Sequence, residues 1–241
     1  MKTKALLIAA ATLAVSAIYS QAQVYSQNIV GYVNIPETGG QFSLEAPPLD
    51  LDGTGTNNTL ATLYPTPTIG DQAYIYSAGA FLSYTYQSKP ASHGNPASTN
   101  WVDGTGAVAN STPLNVGQGV FFLPFINKTN TYVGQVMSGF LTNNYTPAAN
   151  AFAIVSSVVP IAGGVTATLN YQPAINDTIF TFDGTNYSSF TYSFKPASHG
   201  NPASTNWVDG TGAVNQPNIS VGQSFWLNPV TTPVWSQTYT N

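Results

Sequence analysis

Apolar and polar residues alternate with a period of two along much of this chain, and no stretch sustains a helical period. Phe180-Thr181-Phe182 alternates, Asp183-Gly184-Thr185-Asn186 has turn chemistry, and Phe190-Thr191-Tyr192-Ser193-Phe194 alternates again. This pattern predicts a β-hairpin with one aromatic and one hydroxyl face. Val120 to Phe125 and Phe225 to Leu227 are denser apolar runs. They predict central strands covered on both faces, with Trp226 in the core. The 21 Gly and 17 Pro punctuate the chain at short intervals and leave no room for long helices. One short helix is expected at Asn58 to Leu63, N-capped by Asn58, with a counterpart near Thr166 to Asn170. The fold class is all-β, a sandwich or barrel.

Internal repetition sets the organisation. Lys89 to Val108 (KPASHGNPASTNWVDGTGAV) recurs without change at Lys195 to Val214. At the same offset Asp71 matches Asp177, Tyr74 matches Phe180, Tyr76 matches Phe182, and Tyr84 and Tyr86 match Phe190 and Tyr192. Val116-Gly117-Gln118 answers Val221-Gly222-Gln223; Gly31-Tyr32-Val33 answers Gly139-Phe140-Leu141; Phe42-Ser43-Leu44 answers Phe152-Ala153-Ile154. The chain therefore reads as a leader at 1–22 and two tandem β modules at 24–136 and 137–241. A single fused sandwich with exchanged strands is the alternative topology.

The leader reading rests on Lys2 and Lys4 before an apolar run from Ala5 to Ile18, then Ser20-Gln21-Ala22 as a small-residue cleavage site. Cleavage would start the mature chain at Gln23 and place the protein outside the cell or on its surface. No later segment is apolar enough for a helical membrane span. The sequence has no Cys, which removes thiol catalysis, thiolate zinc sites and iron–sulfur clusters. Beyond Lys4 only Lys89, Lys128 and Lys195 face nine acidic residues, and there is no Arg. Nucleic acid and anionic membrane surfaces are therefore poor partners. A polar but nearly uncharged surface suits packing against copies of itself or against glycans.

Gln27-Asn28-Ile29-Val30-Gly31-Tyr32-Val33-Asn34, Phe42-Ser43-Leu44, Val116-Gly117-Gln118-Gly119-Val120-Phe121-Phe122 and Gly134-Gln135-Val136-Met137-Ser138-Gly139 carry a resemblance. They resemble motifs of uncharacterised exported β-repeat proteins of Verrucomicrobia. The likeness covers most of the first module and, more weakly, the second. It implies structural punctuation and no catalytic residue. The His-Gly-Asn-Pro loop departs from that pattern.

The identical block holds the candidate binding residues. His93, Asn95, His199 and Asn201 lie in Gly/Pro loops expected to be exposed. Trp101 and Trp207 offer aromatic faces, although the Val and Asp-Gly turn after each indole favour an inward anchor. The block is only four-eighteenths matched just upstream, at 71–88 against 177–194. Its identity reflects a site used twice, or recombination and shared packing.

Catalytic readings find little support. Ser92 and His93 are sequence neighbours, awkward for a triad with Asp103, and no Gly-x-Ser-x-Gly elbow exists. Asp71 and Asp103 are the natural carboxylate pair for a glycosidase, but Asp103-Gly104 is also a turn signature. Asp50, Asp52 and Asn57 alternate as in a calcium loop, yet Ala61 stands where the closing acid belongs, and Pro160 to Val165 replaces the loop in the second copy. No cofactor is expected. The leading reading is a non-enzymatic extracellular or cell-surface structural protein acting by packing or loop presentation. A carbohydrate-binding module or adhesin comes second and a secreted hydrolase third.

Overall fold

The computed structural model describes residues 30–91, 96–198 and 202–240. In the first half the elements run β1 (Val30–Glu37), β2 (Ser43–Glu45), α1 (Leu60–Leu63), β3 (Gln72–Ser77), β4 (Ala80–Lys89), β5 (Ser98–Asp103), β6 (Val120–Leu123) and β7 (Lys128–Gln135). In the second they run β8 (Gly139–Thr142), β9 (Ala153–Ser156), β10 (Gly163–Gly164), β11 (Thr178–Phe182), β12 (Tyr187–Lys195), β13 (Ser204–Asp209), β14 (Asn218–Ile219), β15 (Ser224–Asn228) and β16 (Ser236–Tyr239). The chain is all-β, as its alternation requires. Among the described residues no helix is long and apolar enough to cross a membrane. The leader, His93, Asn95, His199 and Asn201 lie outside the described residues.

Two five-stranded antiparallel sheets dominate, ordered β2-β6-β3-β4-β5 and β9-β15-β11-β12-β13. Substituting each strand by its sequence counterpart converts one order into the other. The ribbon β1–β7 closes over the inner face of the first sheet, and Val33, Ile35 and Tyr132 pack on Ile75, Trp101 and Phe122. In the second half Trp235, just before β16, packs with Ile179, Trp207 and Phe225. Each core is thus a sheet covered by a narrow ribbon and its flanking loops. Most of its stabilisation comes from burying large apolar side chains, each contributing roughly 1.5–3 kcal/mol.

The hairpin prediction holds for its strands and turn and fails for its faces. Asp183 to Asn186 form the turn, with Asp183 Oδ1 accepting from the Thr185 and Asn186 amides. Phe182 therefore pairs with Tyr187 and Ile179 with Phe190. This register pairs even positions of β11 with odd positions of β12. Phe180 and Phe182 consequently share a face with Ser189 and Thr191, while Phe190 and Tyr192 join the core on the other face. A four-residue turn between the paired ends inverts parity, so the aromatic rows of the two strands face opposite sides. The first half follows the same rule: Tyr76 pairs with Phe81, and Ala73 with Tyr84.

Three further expectations are corrected. Helix α1 is capped by Thr59 through a capping box with Thr62, not by Asn58. Asn58 is instead buried, accepting from the Leu51 amide and donating to the Leu49 carbonyl. Its expected counterpart near Thr166 is a turn rather than a helix. Phe125 lies past the end of β6 and is exposed, so that run is not a strand covered throughout.

Candidate functional site

The two sheets meet through main-chain contacts that repeat about a pseudo-twofold axis. Glu45 bridges Gln223, and Val155 bridges Gln118. The Ala46 amide donates to the Gly222 carbonyl at 2.8 Å, and the Ser156 amide donates to the Gly117 carbonyl at 3.0 Å. Both glycines have positive φ, +91° at Gly117 and +76° at Gly222, a region that disfavours a side chain. The repeated Val-Gly-Gln motif therefore has a physical role. Its glycine turns a carbonyl toward the other half, and its glutamine side chain closes the turn, accepting from the Asn115 or Ser220 amide. Strand β2 lies between β6 and the start of β15, while β9 lies between β15 and the start of β6.

This junction gathers the outward aromatic rows of both sheets into one cleft. Five positions in each half contribute: Phe42 and Phe152, Tyr74 and Phe180, Tyr76 and Phe182, Phe81 and Tyr187, Phe121 and Trp226. The ring contacts repeat with them. Phe42 meets Tyr74 at 5.7 Å as Phe152 meets Phe180 at 6.2 Å. Across the junction Phe121 meets Phe182 at 5.6 Å and Trp226 meets Tyr76 at 4.7 Å, both edge-on. Two hollows of about 370 and 360 Å³ result, one on either side of the axis. Phe42, Phe81, Phe152 and Tyr187 stay 38–53% exposed at the rims. Trp226, expected in the core, lines this cleft because strand alternation gives the inward position to Phe225.

Phe42 and Phe182 also wall a third, more polar hollow of about 350 Å³, whose lining includes Gln41, Ser43, Asp183 and Gln223. Gln41 Nε2 donates to Thr185 Oγ1 across its mouth. At its base lie Glu37 and Glu45, only 5% and 2% exposed. Tyr64 donates to Glu45 Oε1 at 2.6 Å. Burial, then the neighbouring Glu37 carboxyl, pushes the Glu45 carboxyl well above the ordinary carboxylate range. Burial and the Glu45 charge likewise raise the Tyr64 and Tyr132 hydroxyls. The repeat register places Tyr145 and Val155 at these acidic positions in the second half.

The residues singled out from sequence are placed as follows. Trp101 and Trp207 are 1% and 3% exposed and belong to the two cores, so neither offers a face to a sugar. Asp103 and Asp209 close identical turns, each Oδ1 accepting from the amides two and four residues on. The Thr105 and Thr211 hydroxyls, which donate to the same oxygens, and then these amides lower both carboxyls. Asp71 is fully buried and ion-paired with Lys128, and Asp103 is committed to its own turn, so neither is a free carboxyl for glycosidase chemistry. Asp52 accepts from Thr54 and Asn57, which hold its carboxyl down at about 2. Asp50 is fully buried, its Oδ2 accepting from the Asp52 amide at 3.3 Å while its Oδ1 makes no hydrogen bond among the described residues. Among the described residues no group of three His, Cys, Asp or Glu side chains is placed to hold a metal.

The cleft and the acid pair were missed by sequence reasoning, although signals for both existed. Between 71–88 and 177–194 all five rings of the first copy align with rings in the second, only Phe194 facing a non-aromatic residue, Ser88, while most other residues change. Glu45 stands beside Leu44 in a run whose copy reads Ile154-Val155. No protein-family model, characterised protein or solved structure matches the chain.

Proposed function

We propose that this is a non-enzymatic extracellular or cell-surface binding protein whose working surface is the aromatic cleft, and that its ligand is a neutral polysaccharide. One observation carries the reading: the five cleft positions are aromatic in both copies although the ring type changes at four of the five pairs. Packing at the junction accounts for Phe121 and the rings against it, but not for Phe42, Phe81, Phe152 and Tyr187, which stay exposed at the rims. Ring faces suit the C–H faces of pyranose units, and the adjoining Gln41, Ser43 and Thr185 supply uncharged hydrogen-bonding groups. Among the described residues no Lys lines the three hollows, which disfavours anionic polymers. A groove repeated about an axis also suits a ligand built of repeating units.

Replacing Phe81 and Tyr187 together by Ala is expected to weaken binding to insoluble neutral polysaccharides by at least about tenfold, at ~1 kcal/mol or more per ring. Because both rings are half-exposed, the unfolding free energy should change by less than about 2 kcal/mol. A pull-down in which the folded wild type retains none of a broad polysaccharide panel would sink the proposal, as would equal retention of the double variant. Self-assembly is the second reading, favoured by exposed Val30, Tyr32 and Val133 on the outer face of the β1–β7 ribbon. Sedimentation of a Tyr32→Ser, Val133→Ser variant separates the two. Dispersal of a wild-type oligomer supports assembly and leaves glycan binding intact.

A further inference from the structure

We propose that Glu45, buried against Glu37, carries a proton and forms a pH-sensitive latch at the junction of the two halves. This inference is independent of the ligand assigned to the cleft. The two carboxyls lie within hydrogen-bonding reach of one another and are almost wholly buried. Tyr64 donates to Glu45 Oε1 and the Tyr132 hydroxyl lies within reach of the same carboxyl, but Glu37 Oε1 and Glu45 Oε2 are buried and make no hydrogen bond among the described residues. Two acceptors cannot satisfy each other. A proton on Glu45 Oε2, donated to Glu37 Oε1, pairs both at once and removes one of two like charges.

Among the described residues no free cation faces the pair. Lys128 on β7 stands directly opposite Glu37 in the ladder, but its ammonium is committed to Asp71. Asn130 and Tyr132 project from the same face of β7, and the Asn130 Nδ2 and Tyr132 hydroxyl are themselves buried without partners. Tyr132 lies beside Glu45 and Tyr64. From the second half Gln223, Ser224 and Asp183 approach, and none brings positive charge.

The pair is tied to the junction through Glu45 itself. Its carbonyl accepts from Ser224 Oγ at 3.0 Å, it bridges Gln223, and the next amide, Ala46, donates to Gly222. Loss of the Glu45 proton places a charge on the strand end that carries these bonds. Phe42, just before β2, lines the aromatic cleft, so the same displacement reaches the cleft wall. The sign follows from a carboxyl that binds its proton more tightly when folded. Stability is greatest below the ordinary glutamate value of 4.5 and falls as pH rises through the window above it.

The test uses the full chain and the pseudo-symmetric amide as internal control. Hydrogen exchange of the Ala46 and Ser156 amides is measured between pH 5 and 8, corrected for intrinsic rates. The protection of Ala46 is expected to fall relative to Ser156 by about tenfold for each unit that the Glu45 titration is displaced. Glu45→Gln, whose amide can donate to Glu37, should abolish that pH dependence. Infrared difference spectra of the wild type should show a protonated carboxyl at neutral pH. An unchanged ratio of the two amides across the range overturns the latch, as does the absence of a protonated carboxyl at pH 7. The infrared measurement on wild type decides the matter even if Glu45→Gln does not fold.

Discussion

Truncating Trp101 to Ala is expected to lower the unfolding free energy by about 3–5 kcal/mol, and Trp207→Ala to do the same. Both indoles sit where the sheet, its ribbon and a loop converge. Trp101 packs on Tyr64 at 5.7 Å and Tyr86 at 5.5 Å, and Trp207 on Tyr171 at 6.5 Å and Tyr192 at 5.4 Å. No neighbouring side chain can refill the volume, since each core is held by rings already in mutual contact. A second contrast separates packing from hydrogen bonding. Trp207 Nε1 donates to Thr166 Oγ1 at 2.9 Å, whereas Trp101 Nε1 is buried without a partner. Trp→Phe should therefore cost about 1 kcal/mol more at 207 than at 101. Urea unfolding of the four single variants reads both effects. A loss below about 1 kcal/mol for either alanine variant would contradict the burial.

These tryptophans also show where the sequence was informative. The unchanged block from Lys89 to Val108 and its copy build the same strand and the same Asp-closed turn. Local chemistry made this legible: an Asp-Gly turn following a Trp-Val strand end needs no long-range information. The aromatic alternation of β11 and β12 was equally plain, but the face each row occupies depends on the register set by the turn. Reading Phe180, Phe182, Phe190 and Tyr192 as one face ignored the inversion that pairing Phe182 with Tyr187 imposes. The cleft was hidden for the same reason, because it exists only when both outward rows are known and the two sheets are brought together. Trp226 followed suit, since beside Phe225 either residue could have pointed inward. The Glu37–Glu45 pair joins positions eight residues apart on different strands, a proximity that no local period encodes.

Replacing Asp71 by Ala is expected to cost about 3–5 kcal/mol, comparable to the loss of a core tryptophan, through electrostatics rather than volume. Its carboxylate accepts from the Thr68 amide at 2.7 Å and the Phe125 amide at 2.8 Å, and it binds the Lys128 ammonium. It thereby fastens the turn before β3 to the loop before β7. Removing it leaves two amides without their acceptor and a lysine only 12% exposed without its counter-ion. Asp177, its repeat partner, makes the equivalent two amide bonds, to Ala174 and Val230, but its third donor is the neutral Tyr171 hydroxyl. Asp177→Ala should accordingly cost less, about 2–3 kcal/mol. The difference is carried by the stranded ammonium, and a double-mutant cycle isolates it. Lys128→Met, in a site where the side chain already lies over the Phe122 ring, is expected to recover at least about 1 kcal/mol of the Asp71→Ala loss. No such recovery is available to Asp177→Ala, which has no lysine partner. Strict additivity of the Asp71 and Lys128 substitutions in urea unfolding would show that the amide bonds, not the ion pair, account for the whole effect.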